Sequence, residues 1–269
     1  MTVRRSVPWL VLFVLVTVTT STAAPEASGG KAQYERCLAR ATANAADGLR
    51  EALDWKRAGG GPASEHCVAV ALVALRRYVE AATMLEKLAH GGFMAEPAMR
   101  IALFDQAGNA WLLAKRADNA IGSFSAALAI DPADADLLAD RARANAMNKN
   151  WARAESDLSA ALMVNPDRAD LLVLRGSARH AMHRKADARA DFERALRLHP
   201  GFVDALVERG TMKFEVGDAV GARADWSQVV TTSPASAAAG VARQHLADTE
   251  PVAATAPVPP VVLKPPKAH

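Results

Sequence analysis

Prolines stand at Pro132, Pro166, Pro200 and Pro234, each 34 residues after the one before. In the same frame lie Ala120, Ala154, Ala188 and Ala222, then Phe124, Leu158, Phe192 and Trp226, then Ala127, Ala161, Ala195 and Val229. Gly108, Ala142, Gly176 and Gly210 open the same series. A fixed period of this length means a stack of like units, each too small to bury its apolar face alone. Aromatic residues are 5% of the chain and alanine is plentiful, which favours close-packed helices over strands. The frame therefore predicts an all-α fold.

These residues resemble the tetratricopeptide repeat, a 34-residue helix–turn–helix with small residues at repeat positions 8, 20 and 27, a large one at 24 and proline at 32. The physics of the pattern is independent of the resemblance. A small residue at position 8 facing alanine at 20 lets two backbones approach, a large one at 24 fills the gap to the next unit, and proline cannot continue a helix. The resemblance implies a right-handed α-solenoid of about five units over 62–236, namely 62–95, 101–134, 135–168, 169–202 and 203–236. The first of these is the weakest match, with Leu88 at position 27 and Phe93 where proline is expected. Ahead of it, 24–61 reads as a degenerate helical cap ended by the glycines before Pro62; behind, 237–249 reads as a capping helix. The last stretch, 250–269, is proline-rich and almost without charge, so an extended, disordered tail is expected.

Asp157, Asp191 and Asp225 recur at position 23, and the same three units carry Arg141, Arg175 and Arg209 at position 7. The other two units lack both, so the charges come together or not at all. A guanidinium bonding a partly buried carboxylate in two places is the expected contact, bridging the two helices of one unit. Three catalytic carboxylates, each in its own unit with its own arginine, is the poorer reading. Asp136, Asp170 and Asp204, at position 2, are expected in the first turn of each helix, where the dipole favours a carboxylate.

The chain begins with Arg4 and Arg5, an apolar run from Val7 to Val18 and then small residues, the order of a secretory signal peptide over 1–23 with cleavage after Ala23. The alternative is an uncleaved anchor, since Ser6 to Ala24 is just long enough to cross a bilayer. Loss of the two arginines leaves 30 basic against 29 acidic residues with the signs interspersed, which argues against nucleic acid. Export to an oxidising compartment, periplasmic or extracellular, makes a disulfide between Cys37 and Cys67 the expected state of the two cysteines.

His180 and His183 form an H-x-x-H pair that could place two imidazoles on one helix face, but no third ligand adjoins them and Arg179, Arg184 and Lys185 crowd the site. They read as solvated surface, as do His66 and His90. No hydrolase, zincin or phosphate-loop motif is present, so neither metal nor cofactor is expected, nor catalysis.

What the resemblance implies is a concave face, lined by first helices, that holds a peptide or protein partner in the cell envelope. Its groove positions include 9, here Asn109, Arg143, Ser177 and Thr211, and 12, here Leu112, His180 and Phe214. The subfamily that clamps a peptide carboxylate with lysine at 5 and asparagine at 9 is not matched, because those positions read His66 and Val70, Asp105 and Asn109, or Ala139 and Arg143. The expectation is a non-catalytic scaffold or adaptor in the bacterial periplasm, with a membrane-anchored accessory subunit of an envelope assembly or export complex as the alternative.

Overall fold

The structure, a computed structural model, describes residues 26–91 and 96–249. The expected signal peptide over 1–23, Phe93 and the tail over 250–269 lie outside the described residues. A short cap pair opens the array, α1 (Glu26–Ala43) and α2 (Ala45–Arg57). Five pairs follow: α3 (Gly61–Ala74) with α4 (Tyr78–His90), α5 (Pro97–Leu113) with α6 (Ala117–Leu128), α7 (Ala135–Met147) with α8 (Trp151–Val164), α9 (Ala169–Ala181) with α10 (Lys185–Leu198), and α11 (Val203–Glu215) with α12 (Ala219–Thr232). A single helix, α13 (Ala237–Asp248), closes the array. Each helix packs on its neighbours in sequence, and α5 also touches α7, α9 touches α11, and α11 touches α13. First helices thus form an inner layer and second helices an outer one, the arrangement of an α-solenoid.

The turn inside each pair is built the same way from different residues. Arg76, Lys115, Lys149, His183 and Gly217 all occupy position 15 and all have left-handed backbone, with φ of 60, 59, 59, 62 and 86°. The next amide closes the helix end on the carbonyl five residues back, as Asn150 does on Asn145 and Arg184 on Arg179. Four of the five are not glycine and carry the steric penalty of that conformation. His183 therefore lies beyond the end of the helix that carries His180.

Inside each unit the large residue does something other than the frame suggests. A Cβ added at Gly108 would lie 2.5 Å from the Phe124 ring, one at Gly176 2.5 Å from Phe192, and one at Gly210 2.5 Å from Trp226. Position 8 is thus the seat of its own unit's residue 24, rather than a simple point of backbone approach with position 24 turned to the next unit. The sizes trade off: glycine faces Phe, Phe and Trp, whereas Ala69 and Ala142 stand in units whose large residues are Leu85 and Leu158. All five large residues are buried to 2% exposure or less. Close packing at fixed helix separation requires such compensation.

Cys37 on α1 and Cys67 on α3 are joined, with Cα atoms 6.2 Å apart. Beside the bridge, His66 departs from the expected solvated surface. It is 8% exposed, with the Tyr34 hydroxyl 2.6 Å from Nδ1 and the Gln106 Oε1 2.9 Å from Nε2. Burial lowers its pKa, and a neutral ring satisfies both bonds by accepting from Tyr34 and donating to Gln106. His90 is exposed, with its ring set edge-on to Phe104 at 5.0 Å. Reduction of the disulfide is expected to raise amide exchange across 31–90 while leaving 135–232 unchanged, measured by hydrogen exchange; uniform loosening would count against a local cap.

Candidate functional site

The recurrent charges meet inside the stack. Arg141 grips Asp157 with Nε at 2.9 Å and Nη2 at 2.7 Å, Arg175 grips Asp191 at 3.0 and 2.7 Å, and Arg209 grips Asp225 at 2.9 and 2.7 Å. Each carboxylate is buried, and a second donor comes from position 11 of the same unit. That donor is Asn145 at 3.4 Å, Arg179 at 2.8 Å and Lys213 at 2.9 Å respectively. The arginines also reach backward across the unit boundary, where position 25 of the preceding unit offers Ser125 to Arg141 and Ser159 to Arg175. Glu193, at the same position, faces Arg209 electrostatically. In 101–134, one of the two units without the arginine, Trp111 and Ser123 both donate to Glu86, again position 25 of the preceding unit, at 2.9 and 2.6 Å. These groups are spoken for, and they hold units in register.

The inner face carries the expected groove residues in varied states. Asn109 is exposed and bonds Asp105 on its own helix at 2.8 Å. Arg143 is exposed and bonds Asp140. The hydroxyls of Ser177 and Thr211 turn back to the carbonyls of Val173 and Val207, each at 3.0 Å. Leu112 is half-buried, and Phe214 is exposed with its ring 6.0 Å from Trp226. His180 is not free surface: Glu215 of the next unit lies 3.0 Å from its Nε2 and also takes Lys185. The cations thought to crowd it are likewise neutralised, Arg179 by Asp191 and Glu155, and Arg184 by Glu155 and Asp187. Of their acids, Asp187 is local to Arg184, but Glu155 and Asp191 lie on other helices from Arg179, out of reach of a local reading. Among the described residues no group of three or more His, Cys, Asp or Glu is placed to hold a metal.

Two inner-face features were not legible in the sequence. The first is acidic. Asp105 on α5 faces Asp134 at the end of its own unit and Asp136 and Asp140 of the next, and burial, followed by those charges, pushes its pKa up to about 6. Asp140 is raised too, mainly by burial, against the pull of Arg143. Asp136 shares Arg168 with Asp170, so two of the position 2 aspartates are bridged as well as seated in first turns. The second feature is a cavity of about 310 Å³ between α7, α8 and α9, lined mainly by apolar atoms.

Asp105 predicts its own pH signature. Free in the unfolded chain it ionises near 4, but in the fold only near 6, so the native state holds the extra proton in that window. Stability falls as pH rises from about 4 to 6, and the penalty is complete above 6. In the protein cut after Thr249, Asp105→Asn is expected to gain about 1 kcal/mol at pH 7.5, after discounting for residual solvent contact, and nothing at pH 4. Melting curves at the two pH values check this; an equal effect at both would refute it.

No family model and no curated protein matches the chain. Solved structures do. A MamA chain from residue 41 to the end, from Desulfovibrio magneticus RS-1, is 19% identical, covers 66% of this chain and 98% of its own length, and superposes with a TM-score of 0.55. A crystal structure of MamA is 17% identical over 67% and 97% of the two chains, with a TM-score of 0.52. The second TPR domain of human RPAP3, solved with an HSP70 peptide, is 29% identical over 44% of this chain and 98% of that domain, with a TM-score of 0.43. Among the described residues no helix is long and apolar enough to cross a membrane. The 34-residue frame and the two-layered helical stack that it builds give this chain the tetratricopeptide-repeat fold.

Proposed function

We propose that the chain is a non-catalytic binding scaffold whose inner face holds an extended peptide or protein partner. The observation that carries this reading is the division of labour among polar groups. The recurrent ion pairs are consumed between helices, whereas the inner face keeps polar side chains, a run of carboxylates and an apolar cavity that nothing in the fold requires. A concave, partly apolar surface with a few oriented polar groups is what a ligand site needs. The signal-like start and the Cys37–Cys67 bridge support work outside the cytoplasm, in the periplasm, with a partner in the cell envelope. A membrane-anchored accessory subunit of an envelope assembly or export complex is the second reading, favoured by the length of Ser6 to Ala24. Intact mass of the purified protein separates the two.

The test blocks the inner face at the half-buried Ala146, beside the cavity, and at Thr211, whose hydroxyl bonds only its own helix. Ala146→Trp with Thr211→Arg is expected to keep helicity and melting temperature and to abolish capture of the partner from envelope extract. Undiminished capture by that variant, with loss on deleting residues 251–269, would assign binding to the tail and leave the solenoid as a spacer.

A further inference from the structure

The cavity between α7 and α9 exists because Ala146 stands at position 12, where the other units place Val73, Leu112, His180 and Phe214. Its walls are Ala142, Trp151, Leu174 and Ala178, and its one charged lining group is Arg143, itself held by Asp140. Beyond Asp140 stand Asp136, Asp134 and Asp105, so carboxylates outnumber Arg143 and Arg168 along that side. An occupant that suits both features brings an aliphatic side chain with positive charge close behind it and no acid.

Residues 250–269 contain such a segment. Val261, Val262 and Leu263 are followed by Lys264 and, three residues on, Lys267, and no acidic residue occurs after Glu250. Pro259, Pro260, Pro265 and Pro266 flank the run; prolines favour the extended form that lies in a groove at small entropic cost.

We propose that the chain's own segment Val261–Lys267 docks on the inner face, with Leu263 in the cavity beside Trp151 and with Lys264 and Lys267 against Asp140 and Asp105. The inference rests on the reading of the inner face as a binding surface and names its resident occupant. The geometry allows it. Helices joined by short turns alternate in direction, so α13 runs parallel to α7, α9 and α11 and releases the chain at the end of the stack where the cavity lies. From α13 to α11 to α9 is two helix spacings, about 20 Å, while the 14 residues from Thr249 to Leu263 span about 43 Å when extended. A lysine ammonium beside Asp105 also relieves the repulsion among the four acids. An external partner then has to displace the tail, which sets a threshold on binding.

Oxidative footprinting of the full chain tests the proposal. Met147, at the cavity rim, is 42% exposed and Trp151 lines the wall, while Met163 on α8 is 86% exposed and serves as internal reference. In the variant Leu263→Asp, Lys264→Glu, Lys267→Glu, oxidation of Met147 and Trp151 is expected to quicken severalfold while Met163 is unchanged. The protection in the unaltered chain is expected to persist through hundredfold dilution, as an intramolecular contact must. Equal oxidation of both chains would overturn the proposal. Protection that fades on dilution would overturn it in favour of the tail of a second copy. Neither result touches the reading of the inner face, which stands or falls on capture by the Ala146→Trp, Thr211→Arg variant.

Discussion

Asp191→Ala is expected to lower stability by about 3 kcal/mol, the cost of stranding a cation between packed helices. Asp191 is 4% exposed and takes two bonds from Arg175 and one from Arg179. Both guanidiniums are mostly buried, and only Arg179 keeps another acid, Glu155. Asp170→Ala is the contrast. Its carboxylate is far more open and its partner Arg168 retains Asp136, so the loss is expected to stay under about 1 kcal/mol. Arg175→Leu combined with Asp191→Leu is expected to recover part of the loss, because no cation is then left without its acid. Urea denaturation of the full cycle checks this, and additive losses would show that the pair is not coupled.

Gly176→Ala is expected to destabilise by about 2 kcal/mol, although the same change inside an exposed helix gains up to about 1. The reversal of sign is the diagnostic. The new methyl would meet the Phe192 ring at 2.5 Å, and that ring is fully buried with no room to retreat. Phe192→Leu alone is expected to cost about 1 kcal/mol through the space it opens. The two together reproduce the pairing of Ala142 with Leu158 and are expected to restore most of the stability. A neutral or stabilising Gly176→Ala would show that the ring does not occupy that seat.

Both arguments begin from residues that the sequence displays openly, since Asp191 and Gly176 belong to series that repeat the same kind of side chain every 34 residues. Identity in frame was the readable signal, and it gave the helical units and the arginine–aspartate pairs. What escaped repeats a role without repeating a residue. The second donor at position 11 is Asn145, Arg179 or Lys213; the acceptor at position 25 is Ser125, Ser159 or Glu86; the left-handed turn is Arg76, Lys115, Lys149, His183 or Gly217. His66 was misjudged because its partners, Tyr34 and Gln106, are 32 and 40 residues away. The acidic run was hidden for a related reason: Asp105 stands at position 5 and Asp140 at position 6 of different units, so no column of the repeat shows a carboxylate pair.

The core pairs of position 8 with 24 and of 7 with 23 close within a unit, whereas two of the unit boundaries are matched through a bond from the arginine at position 7 to a serine hydroxyl at position 25. Length and integrity are therefore separate properties of this molecule. Excising residues 135–168 would bring Ser125 up to Arg175, the same kind of join that Ser159 makes now. Asp191 would keep its arginines and Phe192 its glycine seat. The shortened protein would lose one unit's share of stability and the Glu155 contacts of Arg179 and Arg184, yet keep every remaining core pair while losing Arg143, Ala146 and Asp140, so that what it recognises could be rewritten by cutting and joining along the frame, without redesign of any core.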